Sequence, residues 1–190
     1  SMICSLTPVG YHLASGCSGS EIKVWDMSTA SCIQTESDVH DGDGWVTDLC
    51  SLDANILVSC NDCDHNVKLW DLRQRFPCIR SYGGHGEAEG DMQGARTVCA
   101  TDNGFAVGAA DAFVHVWDLR GEDPVLLKGH ANPRGDGIRK VCFSEGVLVS
   151  LAADEIGSAS IRTWNPKAGN CLNVIGPFYS KPGHDDIVTF

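Results

Sequence analysis

Three Trp-Asp pairs, Trp25-Asp26, Trp70-Asp71 and Trp117-Asp118, are spaced 45 and 47 residues apart, and a degenerate pair, Trp164-Asn165, follows after another 47. A period this regular means stacked supersecondary units, each too small to bury its apolar face alone. Each pair closes an alternating run, at residues 21–25, 66–70, 113–117 and 160–164. Alternation with period 2 over about five residues marks a strand with one buried face. The same phase places a first strand at 2–6, 46–52, 96–101 and 139–144, and a second at 11–16, 56–60, 104–109 and 147–152. A fourth strand falls at 32–35, 78–81, 125–128 and 171–175. Turn residues such as Thr7-Pro8, Asp53, Asn103-Gly104 and Glu145-Gly146 separate first from second strands. No segment carries a helical period. The reading is all-β, with four strands in each of four units.

This pattern resembles the WD40 family, whose repeats of about 40–45 residues each build one four-stranded blade of a β-propeller. The family's Gly-His pair stands at Gly84-His85, Gly129-His130 and Gly183-His184, with Val39-His40 as a variant. The resemblance covers essentially the whole chain. It implies one domain over residues 1–190, with blades at about 2–36, 37–82, 83–128 and 129–176, and residues 177–190 starting a further blade. It also implies a buried hydrogen-bonded chain of histidine, second-strand hydroxyl, turn aspartate and third-strand tryptophan. The second unit completes that chain with His40, Ser59, Asp64 and Trp70. The third offers His85, Asp111 and Trp117, with Gly108 at the hydroxyl position. The fourth offers His130, Ser150 and Trp164, with Asp154 displaced by an insertion. The first has Gly19 at the aspartate position and no preceding Gly-His. An unsatisfied buried polar group costs about 1–3 kcal/mol, so the second blade is expected to be the best stapled and the first the loosest.

Ten cysteines in 190 residues first suggest disulfides or metal. The repeat redistributes them. Cys4, Cys50, Cys99 and Cys142 fall on one first-strand position, Cys17 and Cys60 close second strands, and Cys32, Cys78 and Cys171 open fourth strands where Val125 stands in the third unit. A slot shared by Cys and Val is small and apolar, so nine cysteines are expected to be packing residues. With no Asn-x-Ser/Thr sequon and no secretory leader pattern, a reducing cytoplasmic or nuclear compartment is expected. Cys63 lies outside the pattern. With Cys60 and His65 it forms half of a zinc-like knuckle, but a structural zinc site takes four ligands, usually from two knuckles, so no metal is expected. Asp41 and Asp43 begin a calcium-like loop that has no closing glutamate. Nothing resembles a phosphate-cradling loop or a His-Glu-x-x-His site, so neither a cofactor nor an enzyme is expected.

Net charge is −11. Its 25 carboxylates repel nucleic-acid phosphates, and the longest apolar run, residues 146–153, is too short to span a bilayer. The expected partner is a protein or peptide, with no nucleic acid and no membrane. In a propeller, the loops joining fourth to first strands share one face with those joining second to third. Here they carry Asp43, Asp91 and Asp136. Two readings stay open: a solvated acidic rim, or a site for a basic peptide with Trp45, Arg96, Phe113 and Arg139 as anchors. On the other face, the Trp-Asp pairs continue to Arg73 and Arg120, which is similar to the tandem Trp-Asp-x-Arg box of WD40 substrate receptors on cullin–RING ubiquitin ligases. That resemblance implies adaptor binding through the two arginines; the alternative is two turn arginines bonding carbonyls of the following strand. The chain opens in a first strand and ends, at residues 186–190, in another. Completion by another propeller segment, closure as a homodimer, and closure of four blades alone all stay open. The expected function is a non-enzymatic interaction scaffold for a basic peptide or protein, with a ubiquitin-ligase substrate receptor as the alternative.

Overall fold

The computed structural model describes residues 2–41, 44–73, 77–83, 92–121, 123–130, 137–153 and 158–179. Blade 1 contains β1 (Ile3–Val9), β2 (His12–Cys17), β3 (Glu21–Asp26) and β4 (Ser31–Glu36). Blade 2 contains β5 (Asp48–Ser51), β6 (Ile56–Cys60), β7 (Asn66–Asp71) and β8 (Cys78–Gly83). Blade 3 contains β9 (Ala95–Ala100), β10 (Gly104–Ala109), β11 (Val114–Asp118) and β12 (Val125–Leu127). Blade 4 contains β13 (Ile138–Ser144), β14 (Val147–Ala153), β15 (Ser158–Asn165) and β16 (Asn170–Tyr179). Each blade is a four-stranded antiparallel meander in chain order, and the described residues include no helix. First strands pack on one another in sequence, β1 on β5, β5 on β9 and β9 on β13, so they form the inner rim.

The acidic half of each Trp-Asp pair has a local task. Asp26 Oδ1 accepts the Ser28 N–H at 2.7 Å, Asp71 Oδ1 that of Arg73 at 2.9 Å, and Asp118 Oδ1 that of Arg120 at 2.9 Å. Each carboxylate thereby closes the turn into the fourth strand, as short polar side chains do by bonding the backbone two residues on. Asn165 Oδ1 accepts the Lys167 N–H at 3.1 Å, which explains why an amide serves in the degenerate pair.

Three hydrophobic clusters fill the spaces between consecutive blades. Val9, Ala14, Ile22, Val24, Leu49, Leu57 and Trp70 join blades 1 and 2. Val58, Leu69, Tyr82, Val98, Phe105 and Trp117 join blades 2 and 3. Ala106, Val114, Leu127, Ile138, Val141, Leu148 and Trp164 join blades 3 and 4. Trp70, Trp117 and Trp164 therefore each pack against the preceding blade.

Strand register corrects three sequence expectations. Ser15, Ser59 and Ser150 pair with Lys23, Lys68 and Arg162, two residues before their tryptophans; in blade 3 the residue paired with His115 is Val107, not Gly108. Gly108 faces blade 4, where an added Cβ would collide with Ile138. In β1 the pairing with β2 puts Thr7, opposite Ala14, where Cys50, Cys99 and Cys142 pair with Val58, Ala106 and Val149, and Cys4 lies three residues earlier, at a register irregularity between Ile3 and Ser5. Finally, Cys17 and Cys60 are buried, but Cys32, Cys78 and Cys142 are exposed and are not packing residues. Cys32 and Cys78 lie on outermost strands, and no described residue covers the face that carries Cys142.

Candidate functional site

In blade 2, Trp70 Nε1 donates to Ser59 Oγ at 2.9 Å, His40 Nε2 lies 2.8 Å from the same hydroxyl, and His40 Nδ1 lies 2.8 Å from Asp64 Oδ2. All four residues are buried. Asp64 also accepts the backbone N–H groups of Asn66 at 2.9 Å and Asp41 at 3.1 Å. Burial pushes its carboxyl up, but the His40 hydrogen bond and charge and the two backbone N–H groups outweigh it and hold the group below the ordinary carboxylate range. The chain ties the loop before β5 to the β6–β7 turn.

Blade 4 repeats the arrangement with a different terminus. Trp164 Nε1 donates to Ser150 Oγ at 2.8 Å and His130 Nε2 lies 2.8 Å from that oxygen, while His130 Nδ1 meets Ser160 Oγ at 3.1 Å. Asp154 lies outside the described residues. The residue before the histidine must be small, because a Cβ at Gly129 would sit 2.6 Å from Trp164 Cη2. Burial, with the Arg162 charge adding to it, lowers His130 to about 4. Its folded value thus lies below that of the unfolded chain, which takes up a proton first as pH falls. Stability contributed by His130 is complete above about pH 6.5 and is lost as pH drops toward about 4. The urea midpoint is expected to fall between pH 7 and pH 5, and to fall less in His130→Gln.

Blade 3 has no hydroxyl at this position. Trp117 instead stacks between Phe105, at 5.5 Å, and His115, at 5.6 Å, with Tyr82 edge-on at 6.1 Å. His115 Nε2 lies 2.8 Å from Asp111 Oδ2, so Asp111 serves a histidine of its own blade. His85 lies outside the described residues. In blade 1, Trp25 Nε1 donates to Ser15 Oγ at 2.9 Å, and no described histidine bonds that serine.

The inner rim holds a second polar system. Ser5, Asp48, Thr97 and Lys140 occupy one register position, opposite Gly16, Cys60, Gly108 and Leu151. Asp48 Oδ1 accepts Ser5 Oγ at 2.8 Å; its Oδ2 accepts Thr97 Oγ1 at 2.8 Å, the Val98 N–H at 3.1 Å and Lys140 Nζ at 2.8 Å. One carboxylate therefore joins all four blades. Desolvated thiols flank it: burial pushes Cys60 well up and Cys99 to about 12, so neither is a nucleophile at neutral pH. Among the described residues, no group of three or more His, Cys, Asp or Glu side chains is arranged to hold a metal ion. Cys60 Sγ turns inward to Thr47 Oγ1 at 3.3 Å, while Cys63 is exposed.

At the loop end of blade 2, Gly44 lies so close to the Asn61 amide that a Cβ there would collide with it. This approach lets Asn61 Nδ2 donate to Trp45 O at 2.8 Å, while Asn61 Oδ1 accepts the N–H groups of Cys63 at 2.6 Å and Asp64 at 2.9 Å. The backbone of Trp45 is fixed and its indole is 49% exposed. Three residues before the rim position in blades 3 and 4 stand Gly94 and Gly137, which offer no side chain. Asp41 and Asp62 are exposed on the same loops. Arg96 is half-buried and Arg139 exposed at the entrances to their first strands. Phe113 already carries Lys128 Nζ 5.3 Å from its ring centroid. Asp43, Asp91 and Asp136 lie outside the described residues.

At the opposite end, Arg73 bonds no carbonyl of the following strand among the described residues. Its Nε and Nη2 donate to Asp71 Oδ1 at 2.9 Å and Oδ2 at 2.6 Å, and the guanidinium holds that carboxyl down to about 2. Arg120 is exposed, and it lines a surface depression of about 280 Å³ with Asp53, Asp102 and Leu119.

A family model described as WD domain, G-beta repeat matches residues 30–71, the stretch that holds the complete His40–Ser59–Asp64–Trp70 chain. A nuclear distribution protein PAC1 of Arthroderma otae is 25% identical over 202 residues, covering 95% of this chain and 40% of that protein. The E3 ubiquitin-protein ligase COP1 of Arabidopsis thaliana is 29% identical over 164 residues, covering 82% and 21%. A chain from a crystal structure of the mitotic checkpoint complex superposes with a TM-score of 0.70 at 18% identity, over 92% of this chain and 51% of that one. Residues 30–71 match a WD40 repeat, and the chain is similar along its length to WD40-repeat proteins. It spans about two fifths of the length of the PAC1 protein that it matches.

Trp45 precedes β5, and Arg96 and Arg139 stand near the starts of β9 and β13, while Phe113 is engaged by Lys128. Asn61 and Asp48 escaped sequence reading. The signal for Asp48 was present: a polar residue stands two positions before Cys50, Cys99 and Cys142, on strands otherwise rich in apolar residues.

Proposed function

We propose that this WD40 chain is a non-enzymatic protein-binding module that takes a basic peptide or protein segment on the loop end bearing Trp45. One observation carries the reading: a half-exposed indole, with its backbone clamped by Asn61, stands at the loop end whose two loops also carry exposed Asp41 and Asp62. An aromatic face next to carboxylates attracts lysine and arginine side chains, and a rigid aromatic loses little entropy on binding. Asp43, Asp91 and Asp136 add to the same acidic character by sequence, and the net charge of −11 steers a cationic ligand toward the chain. Cytoplasmic or nuclear residence goes with this reading. Calorimetric titration with Lys/Arg-rich peptides tests it. Trp45→Ala is expected to weaken binding at least about 10-fold, or about 1.4 kcal/mol. Equal affinity in wild type and variant, or equal binding of Asp/Glu-rich peptides, would overturn it.

A ubiquitin-ligase substrate receptor is the second reading, favoured by the exposed Arg120 beside a surface depression and by the similarity to COP1. Unchanged recovery of a cullin–RING adaptor by the Arg73→Ala, Arg120→Ala double variant would end it.

A further inference from the structure

One fourth-strand position recurs in all four blades. Gln34, Arg80, Val125 and Asn173 occupy it, opposite Val24, Leu69, Val116 and Thr163. Three of these residues are polar, and blade 2 shows what a long one does. Arg80 Nη2 lies 3.5 Å from the Gly121 carbonyl of blade 3, so the side chain crosses the contact between the two blades. Val125 has no such arm to extend toward blade 4, and it is 44% exposed. β12 also begins there, because Pro124 has no N–H to carry the ladder further. Trp25, Trp70 and Trp164 pair with Cys32, Cys78 and Cys171, whereas β12 stops one residue short of Trp117.

The facing side of the same contact differs as well. Phe143, opposite Leu148, takes the first-strand position that Ser51 holds opposite Leu57 and Ala100 holds opposite Phe105. Ser51 Oγ ties blade 2 to blade 1 by donating to the Pro8 carbonyl at 2.8 Å. A phenyl ring has no hydrogen bond to offer. Between blades 3 and 4, at the end away from Trp45, this leaves a hollow of about 280 Å³ walled by Val116, Val125, Phe143 and Pro166.

The mouth of the hollow is charged, and Asp102, Asp118 and Lys167 line it. Lys167 Nζ stands 3.8 Å from Asp102 Oδ2 with both side chains open to solvent, a pair of little energetic weight. Asp118 commits Oδ1 to the Arg120 N–H and is exposed. Two carboxylates against one ammonium give the mouth a net negative charge beside an apolar floor.

We propose that this hollow docks an extended protein segment of apolar and basic character. The segment seats one bulky apolar side chain between Val125 and Phe143 and sets a Lys or Arg against Asp102 and Asp118. Burial of the apolar side chain supplies the affinity, and the two carboxylates select a cationic neighbour. Because β12 stops short, residues 116–118 of β11 themselves line the hollow, and the segment lies along an open strand end. Both walls belong to one internal blade contact, and the site shares no residue with the Trp45 end.

Selection from a random displayed-peptide library tests the proposal, with the Trp45→Ala chain as target so that the other end contributes little. The selected peptides are expected to share one bulky apolar residue next to Lys or Arg. Introducing Val125→Arg, which supplies the arm that Arg80 provides in blade 2, is expected to weaken their binding at least about 10-fold. Its urea midpoint is expected to stay unchanged, because the position is half-exposed. Asp102→Asn combined with Asp118→Asn is expected to weaken binding about 5-fold and to flatten its salt dependence. The Asp118 turn survives that change, as the Asn165 turn shows. A library that yields no apolar–basic consensus overturns the proposal, as do peptides whose apolar residue is flanked by Asp or Glu. Selected peptides that bind Val125→Arg as tightly as the parent overturn it too. Should Val125→Arg shift the urea midpoint, the Asp102, Asp118 pair decides alone, and unchanged binding by it overturns the proposal.

Discussion

Asp48→Ala is expected to lower the free energy of unfolding by about 3 kcal/mol, seen as a large drop in the urea midpoint. The carboxylate accepts hydrogen bonds from Ser5, Thr97, the Val98 N–H and Lys140, which lie on three other blades. Thr97 and Val98 are buried, so removing their acceptor strands two donors at about 1–3 kcal/mol each. Lys140 contributes little to the loss, because its side chain is 60% exposed and water replaces the carboxylate there. Asp48→Asn keeps an acceptor oxygen and is expected to lose about 1 kcal/mol. A midpoint unchanged in Asp48→Ala would mean that the rim is held by the apolar contacts between blades alone.

His40→Leu is expected to cost a similar amount, about 3 kcal/mol, by a different route. Leucine fills most of the volume but leaves the Asp64 carboxylate, whose side chain is 1% exposed, without its main partner, and Ser59 without its second. The backbone N–H groups of Asn66 and Asp41 remain on Asp64, which keeps the loss from being larger. Asp64 then loses what outweighs its burial, and its carboxyl rises, so less stability is lost on protonating it and the gap between His40→Leu and wild type is expected to narrow as acid is added. Pairing the two substitutions gives a further check. Asp48 and the His40 chain share no hydrogen-bond partner, so the losses are expected to add within about 0.5 kcal/mol.

Much of the fold was legible because the Trp-Asp period phases every strand, and the alternation around each tryptophan gives the buried face. The Asp of each pair has a purely local role in its turn, which is why Asn165 did not disturb the reading. What escaped depends on contacts between units. The pairing of β1 with β2 puts Thr7, not Cys4, at the cysteine position, and the sequence carries no sign of that register. Cys32 and Cys78 share a slot with Val125, but the sequence does not say that the fourth strand is the outer edge, where small apolar residues lie open to solvent. Val107 takes the hydroxyl position because pairing with His115, not distance along β10, defines it. Asp48 looks like any polar residue of a half-buried strand until four first strands converge on it. At the candidate site, the aromatic and charged residues of the loop end were legible by type; that Trp45 is the open aromatic and Phe113 the engaged one depends on Asn61 and Lys128.

The most direct test of a binding function at the loop end is hydrogen exchange of the chain with and without the Lys/Arg-rich peptide that binds best. Slowed exchange is predicted at residues 37–41, 44–47 and 61–65, around Trp45 and the Asn61 clamp. Slowed exchange confined to residues 71–73 and 118–121, around Arg73 and Arg120, with the loop end unchanged, would contradict it.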